Sequence, residues 1–376
     1  MKIGFCTPSI LFPEGGVGNY IRNLSEAIAE IDTRNEYLVF GNPQSFQEYG
    51  LDSRRFDLID RGVLTRYRGL RLGWEHVMFP LECSLRSVNL IHAMMFVIPF
   101  VDINKAVVTI YDMGFHLYPQ YHQASKVAYF TRMIERSARR ADLILTISQY
   151  TKDEICEVLG VPEQKVRVTH LAHQYTFQRL GDSNKIADVK KRLKITKPYV
   201  LFVGTIEPRK NVARLLEAFA RVKNDRKKAY ELVIAGRRGW GCDVDAWIAE
   251  LGLQGEVILT DVVLQDDLVT LYNGCEVFVY PSLYEGFGIP ILEAMACGAP
   301  VITSNRSSMA EVAGQAALLI DPHSAIELAA ALEYLLSDEK ARKDYRRQGL
   351  ARAGQFSWHN TARQTVAAYD EVFQQG

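Results

Sequence analysis

The sequence predicts an α/β protein with two doubly wound parallel sheets. Short apolar runs rich in β-branched residues alternate with helical patterns through most of the chain, which is typical of parallel strands joined by crossover helices. A polar stretch over residues 174–197, followed by Pro198, interrupts this alternation near the middle. Because 376 residues exceed what one core ordinarily supports, we expect two domains.

The first predicted domain covers residues 1–178. Its expected strands are 2–6, 37–40, 90–93, 106–111 and 143–147. Its expected helices are 18–31, 70–85, 125–139 and 148–159. Ser148 is a plausible N-cap for the last of these helices, since its hydroxyl can accept a bond from an unpaired N–H of the first turn.

The second predicted domain covers residues 197–355, after an interdomain linker over 174–197. Its expected strands are 199–203, 231–235, 257–259, 277–280, 300–303 and 317–320. Its expected helices are 212–222, 244–251, 264–274, 290–296, 324–336 and 339–353, and a final helix covers 357–373. Doubly wound sheets bind ligands outside the carboxyl ends of their strands, so we expect a ligand cleft between the two domains.

Composition excludes several function classes. Lys and Arg number 44, as do Asp and Glu, so no net charge favours nucleic acid as a partner. The six cysteines are scattered without a CxxC pair, which favours buried free thiols in a reducing compartment over a zinc site. The N-terminus lacks a signal-peptide pattern and no apolar run reaches the ~18–20 residues of a membrane span. We therefore expect a cytoplasmic protein.

Two groups of arginines leave contact with a membrane open. The first group is interleaved with apolar residues and the second lies along one predicted helix: Arg54, Arg55, Arg61, Arg66, Arg68 and Arg71, then Arg132, Arg136, Arg139 and Arg140. Such a surface can lie peripherally on anionic lipid headgroups at the inner face of a membrane. The alternative is an ordinary solvated surface.

The most informative segment runs from Glu285 to Glu293. It follows predicted strand 277–280, and Pro290 stands where a helix would begin. A helix N-terminus attracts phosphate or sugar oxygens, and Gly286 and Gly288 allow the backbone to approach a ligand closely. The two acids lie near one crevice, so one is suited to a sugar and the other to a ribose.

Arg209 and Lys210 follow the predicted strand 199–203. An arginine forks onto phosphate oxygens and a lysine supplies a compact charge, so this pair suits a departing diphosphate. A solvated basic turn is the alternative.

Two further segments follow first-domain strands. Gly15-Gly-Val-Gly-Asn-Tyr20 has Ile21 where a dinucleotide fingerprint needs its third glycine, so it favours a loop facing a diphosphate or sugar, or a structural turn. Asp112 and His116 follow strand 106–111, where either suits acceptor binding or proton transfer. A lone histidine is more often structural.

With these pieces together, the chain resembles the retaining glycosyltransferases of family 4, also called group 1, which have the GT-B architecture. The resemblance covers nearly the whole length. It rests on the two acids and the upstream Arg-Lys pair, supported by Ala299-Pro-Val-Ile-Thr-Ser-Asn305, Glu311-Val-Ala-Gly314 and Phe356-Ser-Trp358. Bacterial mannosyltransferase-like members that build surface polysaccharide are the most similar.

The resemblance implies a role for each matched position. Arg209 and Lys210 match the pair that binds the donor diphosphate, and Gly16 matches the loop near the phosphates. Glu285 matches the acid near the transferred sugar, and the backbone of Phe287, Gly288 and Ile289 matches the loop that holds the sugar hydroxyls. Glu293 matches the acid that binds the ribose. It implies no metal and no cofactor beyond a GDP- or UDP-hexose donor. It also implies a C-terminal helix, within residues 356–376, that crosses back to the first domain. One departure is Tyr111-Asp112, where many relatives carry His-Asp.

We therefore expect a metal-independent, retaining hexosyltransferase. Mannose from GDP-mannose is the first expected donor group, and the acceptor is a saccharide or a lipid-linked saccharide. The alternatives are a nucleotide-sugar epimerase or phosphorylase on the same fold, and a non-catalytic subunit of a glycan assembly complex. Fold likeness alone does not decide among them.

Overall fold

The computed structural model describes residues 1–6, 16–41, 43–48, 50–62, 68–101, 104–224 and 229–374. It divides into two compact units. The first unit joins Met1–Leu171 to Ser357–Gly376, and the second unit is Ala172–Phe356. Residues 174–197, predicted to be a linker, belong to the second unit and contain a helix over Ser183–Arg192. The side chain of Asp182 caps that helix by accepting a bond from the amide of Asn184.

The first unit contains a seven-stranded parallel sheet in the order β3-β2-β1-β4-β5-β6-β7. The strands are β1 Lys2–Cys6, β2 Glu36–Gly41, β3 Asp57–Asp60, β4 Leu90–Ala93, β5 Lys105–Ile110, β6 Leu143–Thr146 and β7 Val166–Val168. The sequence analysis missed β3 and β7. Both are short edge strands with a single fully buried residue each, so neither shows the apolar run of a central strand.

Helices flank this sheet. In chain order they are α1 Gly16–Ile31, α2 Pro43–Glu48, α3 Arg68–Gly73, α4 Phe79–Leu85, α5 Gly114–Leu117, α6 Ala124–Arg140 and α7 Gln149–Leu159. The hydroxyl of Ser148 accepts a bond from the amide of Thr151, which confirms the predicted N-cap of α7. The predicted helix 70–85 is instead α3 and α4 with a π-helical turn, Trp74–Met78, between them.

The second unit contains a six-stranded parallel sheet in the order β10-β9-β8-β11-β12-β13. The strands are β8 Tyr199–Val203, β9 Glu231–Ala235, β10 Val257–Asp261, β11 Val277–Tyr280, β12 Val301–Ser304 and β13 Leu318–Ile320. The two parallel sheets with their helices confirm the predicted α/β class. The adjacent strands β8 and β11 end at the same edge of their sheet, so the loops that follow them meet there.

The second unit's helices are α8 Ser183–Arg192, α9 Val212–Asn224, α10 Val244–Glu250, α11 Gln265–Gly274, α12 Ile289–Ala296, α13 Ser307–Ala313, α14 Ala325–Ser337 and α15 Glu339–Ala353. The sequence analysis did not predict α8 or α13. The residues of α13 are mostly small and polar, so that helix lacks a strong apolar period.

The last helix, α16 (Trp358–Gln374), is part of the first unit and packs along α1. Buried His92 of β4 bonds the hydroxyl of Tyr369 through Nδ1 at 2.7 Å and that of Thr109 through Nε2 at 2.8 Å. Lys105 Nζ donates to the carbonyl of Val372 at 2.8 Å. These bonds fix the last helix to the central strands of the first sheet.

The cysteines with described side chains are free thiols. Cys83, Cys275 and Cys297 are buried, but Cys156 and Cys242 are only half-buried, so the expectation of buried thiols holds for part of the set. Among the described helices, none has the length and apolar character to cross a membrane.

Candidate functional site

The centre of the candidate site is a buried carboxylate held by two cations in the second unit. Lys210 Nζ lies 2.7 Å from Glu285 Oε1, and Arg209 Nη1 lies 2.6 Å from Oε2. Each carboxylate oxygen therefore has its own cation. The hydroxyl of Tyr280, the last residue of β11, donates to Oε1 at 3.0 Å and accepts a bond from Lys210.

The main chain of Glu285 is fixed by two serines of α13. Its amide donates to Ser307 Oγ at 3.1 Å, and its carbonyl accepts from Ser308 Oγ at 2.7 Å. Both serines are buried. Sequence reasoning missed them, together with Tyr280, because their role depends on the contact of α13 with the loop after β11.

A short 3-10 turn, Pro208–Lys210, carries the two cations beyond the end of β8. Asn211 ends this turn in the left-handed conformation, which asparagine tolerates better than most residues. Its side-chain amide donates to the carbonyls of Pro281 at 3.1 Å and Pro322 at 2.7 Å. The turn that presents the cations is thereby fixed to the loop that presents Glu285.

A second acid completes the cluster. Glu207, also buried, accepts a bond from Arg209 Nη2 at 2.8 Å, while Arg209 Nη1 donates to the carbonyl of Tyr284 at 2.8 Å. Two acids thus offset two bases, and the cluster carries no net formal charge.

The electrostatics of the cluster keep Glu285 ionised. Burial alone would raise the pKa of its carboxyl, but Arg209 and Lys210 outweigh burial and lower the pKa to about 2. Burial lowers the pKa of the Lys210 ammonium, against the attraction of Glu285. At neutral pH Glu285 is therefore a carboxylate that has no proton to donate.

The close approach of two loops behind this cluster requires glycine. Gly204 follows β8 and Gly236 follows β9, with φ of 150° and 152°. A Cβ atom on Gly236 would lie 2.1 Å from the carbonyl oxygen of Gly204, far inside van der Waals contact. No other residue fits there without moving the loop that leads to the cations.

The segment after Glu285 forms the start of α12. Gly288 caps the helix with φ of 99°, and Pro290 occupies its first turn. The Phe287 ring is buried and packs edge-on against Phe356 at a centroid distance of 5.9 Å. Because the side chain of Phe287 belongs to the core, this residue is suited to bind a ligand only through its backbone. The same backbone role is predicted for Gly288 and Ile289.

Glu293, further along α12, lies in a different environment from Glu285. The hydroxyl of Tyr272 in α11 donates to its Oε2 at 3.0 Å. Burial of the carboxyl raises its pKa to about 7, which the Tyr272 bond only partly opposes. Of the two predicted acids, Glu285 is thus paired with cations. Glu293 is desolvated, and its hydrogen bond is to a neutral hydroxyl.

The first-unit candidates have local structural contacts. Gly16 is the first residue of α1, and a Cβ there would meet no atom of the described residues within 4 Å; Gly15 lies outside the described residues. Asp112 accepts a bond from the amide of Gly114 at 2.8 Å at the start of α5. His116 Nε2 lies 3.7 Å from Glu135 of α6, and burial lowers its pKa.

Tyr111 is a core residue. Its hydroxyl donates to the carbonyl of Met94, its ring packs edge-on against Tyr20 at 5.2 Å, and burial raises its pKa well above the usual value. It therefore cannot act as an acid near neutral pH. Within the described part of the chain, His116 makes no hydrogen bond to Tyr111 or Asp112, so the sequence-based roles of Asp112 and His116 stay predictions.

Several of the arginines considered for membrane contact bind within the first unit. Arg61 pairs with Glu82 at 2.8 Å, Arg136 donates to carbonyls of residues 98–100, and Arg140 donates to the carbonyl of Asn104. Arg66 lies outside the described residues. Membrane contact through this surface stays a prediction. Among the described residues, no group of three or more His, Cys, Asp or Glu side chains is placed to hold a metal ion.

Two parallel-sheet units, with an ionised cluster at the carboxyl edge of the second sheet, define a class of doubly wound α/β proteins that bind ligands at that edge. The family model of glycosyl transferases group 1 matches residues 184–352, and that of Glycosyltransferase Family 4 matches residues 14–172. The chain is 32% identical to the O-antigen chain mannosyltransferase B of Escherichia coli, over 98% of this chain and 99% of that protein. The chain belongs to the group 1, family 4 glycosyltransferases and is a glycosyltransferase.

Solved structures place the fold in the same class. A glycosyltransferase from Rickettsia africae has a TM-score of 0.77 at 16% identity, covering 100% of this chain and 99% of that one. Anabaena HepE in complex with UDP and glucose has a TM-score of 0.75 at 17% identity, covering 99% of this chain and 100% of that one. These likenesses confirm the predicted GT-B fold.

The raised pKa of Glu293 predicts a pH-dependent stability. A carboxyl whose pKa is about 7 in the folded chain and 4.5 in the unfolded chain stabilises the fold below pH 4.5. That contribution is lost as the pH rises through 7, because the desolvated carboxyl must then ionise. We expect Glu293→Gln to unfold at a higher temperature than the parent at pH 8, with the difference vanishing below pH 5.

Thermal unfolding between pH 5 and pH 8.5 measures this difference. Glu327→Gln, at the exposed start of α14, is the control and should show no such pH-dependent gain. Equal midpoints for parent and Glu293→Gln at pH 8 would show that Glu293 is not desolvated.

Proposed function

We propose that this glycosyltransferase moves mannose from GDP-mannose to a saccharide or lipid-linked saccharide acceptor, with retention of configuration and without a metal ion. The observation that carries the proposal is the buried cluster of Glu285, Arg209 and Lys210 at the carboxyl ends of β8 and β11. We further propose that the product is a surface glycan assembled in the cytoplasm, and that the chain contacts the membrane peripherally.

The cation pair supports a diphosphate leaving group. Negative charge grows on the departing diphosphate during glycosyl transfer, and fixed cations stabilise it most where water is excluded. Lys210 Nζ donates to the Tyr280 hydroxyl and to Glu285, which uses two of its three N–H donors among the described residues, and the third can donate to a phosphate oxygen. In the proposed reaction these two residues supply the positive charge that a metal ion supplies in other transferases.

The state of Glu285 supports a retaining mechanism without a glycosyl-enzyme intermediate. An ionised carboxylate cannot donate a proton, and one bound by two cations is a weakened nucleophile. A retaining glycosidase uses two carboxyl groups about 5–5.5 Å apart across the scissile bond. Here the second acid, Glu293, is bonded to Tyr272 and is proposed to bind the ribose.

We therefore propose displacement on one face of the sugar. The bond from the anomeric carbon to the diphosphate oxygen breaks, and the acceptor hydroxyl oxygen bonds to the same carbon from the same side. The departing diphosphate oxygen takes the acceptor's proton. Glu285 stabilises the positive charge that develops on the transferred sugar, and the backbone over residues 287–289 binds its hydroxyls.

The choice of mannose rests on the full-length relative, an O-antigen chain mannosyltransferase, and GDP is the nucleotide that we propose with it. HepE, in complex with UDP and glucose, is only 17% identical, so a UDP-hexose is the second choice. Asp112 and His116 are proposed to lie on the acceptor side, and Gly16 near the phosphates.

Product analysis tests this function directly. The chain is incubated with GDP-mannose and separately with UDP-glucose, each with a mannoside acceptor and excess EDTA. We expect transfer from GDP-mannose, unaffected by EDTA, with an α-linkage in the product by NMR. A β-linkage would contradict retention, and conversion of the donor to an isomer without acceptor would indicate an epimerase.

The two cations have a distinct kinetic prediction. Removing a charge that stabilises the transition state typically costs roughly 10²–10³ in kcat, so Arg209→Ala and Lys210→Ala should each lose about that much. Arg214→Ala is the matched control, because Arg214 lies nearby in α9 and pairs with Glu217 at 2.6 Å. Normal kcat in an Arg209→Ala, Lys210→Ala double variant would rule out the diphosphate assignment.

A further inference from the structure

A cavity of about 110 Å³, mostly apolar with a few polar side chains, lies in the first unit, and the site described above does not use it. Three polar side chains around the π-helical turn Trp74–Met78 face it: Arg71, Glu75 and His76. Its apolar walls include Met94, Val97, Pro99, Tyr129 and Phe130. Tyr129 is 37% exposed, so the cavity has an aromatic side at the surface.

Two nitrogen atoms that face this cavity make no hydrogen bond to the described residues, although His76 also contacts the hydroxyl of Tyr129 through Nε2 at 3.4 Å. Arg71, Glu75 and His76 are 8%, 7% and 6% exposed. Arg71 Nε and His76 Nδ1 have no hydrogen-bond partner among the described residues. Buried polar atoms are nearly always hydrogen-bonded, so two nitrogens without a hydrogen bond in one cavity indicate that a ligand supplies the missing acceptors or donors.

The fold holds these groups in place through the π-helical turn. The carbonyl of His76 accepts hydrogen bonds from the amides of Phe100 and Val101, which lie outside the helix, both at 3.1 Å. The His76 ring stacks on the Phe100 ring with centroids 4.0 Å apart, and the Arg136 guanidinium lies 4.9 Å from the centroid of the Phe100 ring. Turns of this kind are frequent at functional sites.

The charges of the cavity favour a neutral ligand. Arg71 Nε lies 3.7 Å from Glu75 Oε1, so these two charges offset each other. Burial first, and Arg136 second, lower the pKa of His76 to about 4, so its ring is uncharged at neutral pH. An anion would meet the Glu75 carboxylate, whereas hydroxyl groups can both donate to it and accept from Arg71 and His76.

The position of the cavity also points to a substrate. Ala93 ends β4, and Met94 and Met95 follow it, so the cavity lies at the carboxyl edge of the first sheet. That edge is where doubly wound sheets bind ligands. The volume is several times the ~30 Å³ of one liquid water, which suits the polar edge of a sugar ring with its apolar face against the aromatic walls.

We propose that this cavity is a subsite for one neutral pyranose unit of the acceptor glycan, bound through Arg71, Glu75 and His76. The assignment to the acceptor rests on the proposed glycosyl transfer. Binding of a pyranose by the cavity does not depend on that reaction. The subsite and the proposed function can therefore be disproved separately.

Ligand-detected NMR on the full chain tests the subsite, with methyl α-D-mannopyranoside as the probe and no nucleotide present. We expect saturation transfer to the probe in the parent chain. His76→Phe keeps the stacking on Phe100 but removes the ring nitrogens, and it should weaken binding at least tenfold. Val97→Phe should do the same by filling the cavity while leaving all three polar groups intact.

Val77→Ala is the matched control, because Val77 lies in the same turn but is 42% exposed and does not line the cavity. It should bind the probe like the parent. With GDP-mannose as donor, both cavity variants should raise the acceptor KM at least tenfold and leave the donor KM unchanged.

Unchanged probe binding in a folded Val97→Phe chain would overturn the subsite, as would binding of inorganic phosphate in place of the mannoside. Normal transfer with an unchanged acceptor KM in both variants would overturn its acceptor role while leaving the proposed function intact. Probe binding by a chain that uses no nucleotide sugar would sustain the subsite and sink the proposed function.

Discussion

The second unit is organised around one interaction, the buried carboxylate of Glu285 between Arg209 and Lys210. This interaction joins the loop after β8 to the loop after β11, and the serines of α13 fix its backbone. Removing one partner from a buried charge pair typically costs 3–5 kcal/mol, because the remaining charge is left uncompensated. The loops at this edge of the sheet are therefore constrained by electrostatics as much as by packing.

The balance between two acids and two cations determines which charges a ligand would meet at this site. Glu207 and Glu285 offset the two cations, so the ligand-free cluster is neutral and stable. In the proposed reaction a diphosphate would bring negative charge of its own and compete with Glu285 for the charge of Arg209 and Lys210. In the first unit, the charges of Arg71 and Glu75 beside the π-helical turn also offset each other. There, Arg71 Nε and His76 Nδ1 lack hydrogen bonds to the described residues, so the cavity needs hydrogen-bond partners rather than counter-charges.

Sequence reasoning identified what local patterns encode. The apolar runs gave strands β8, β9 and β11 with their observed ends, and the hydroxyl of Ser148 marked the start of α7. It missed what depends on distant partners. The His76 carbonyl of the π-helical turn accepts bonds from the amides of residues 100 and 101, and Arg209 pairs with Glu285, which lies 76 residues further along the chain. The Arg-Lys pair and the two acids were found by their type and position, but their mutual contact was not.

The affinity for GDP of the parent and of Glu285→Gln, measured by calorimetry, tests the central claim most directly. If Glu285 competes with the diphosphate for Arg209 and Lys210, the amide should bind GDP about tenfold more tightly, equivalent to ~1.4 kcal/mol, while transfer collapses. Glu217→Gln, which alters only the pair with Arg214, should bind GDP like the parent. Weaker GDP binding by Glu285→Gln in a folded chain would contradict the account, because the carboxylate would then support the nucleotide rather than compete with it.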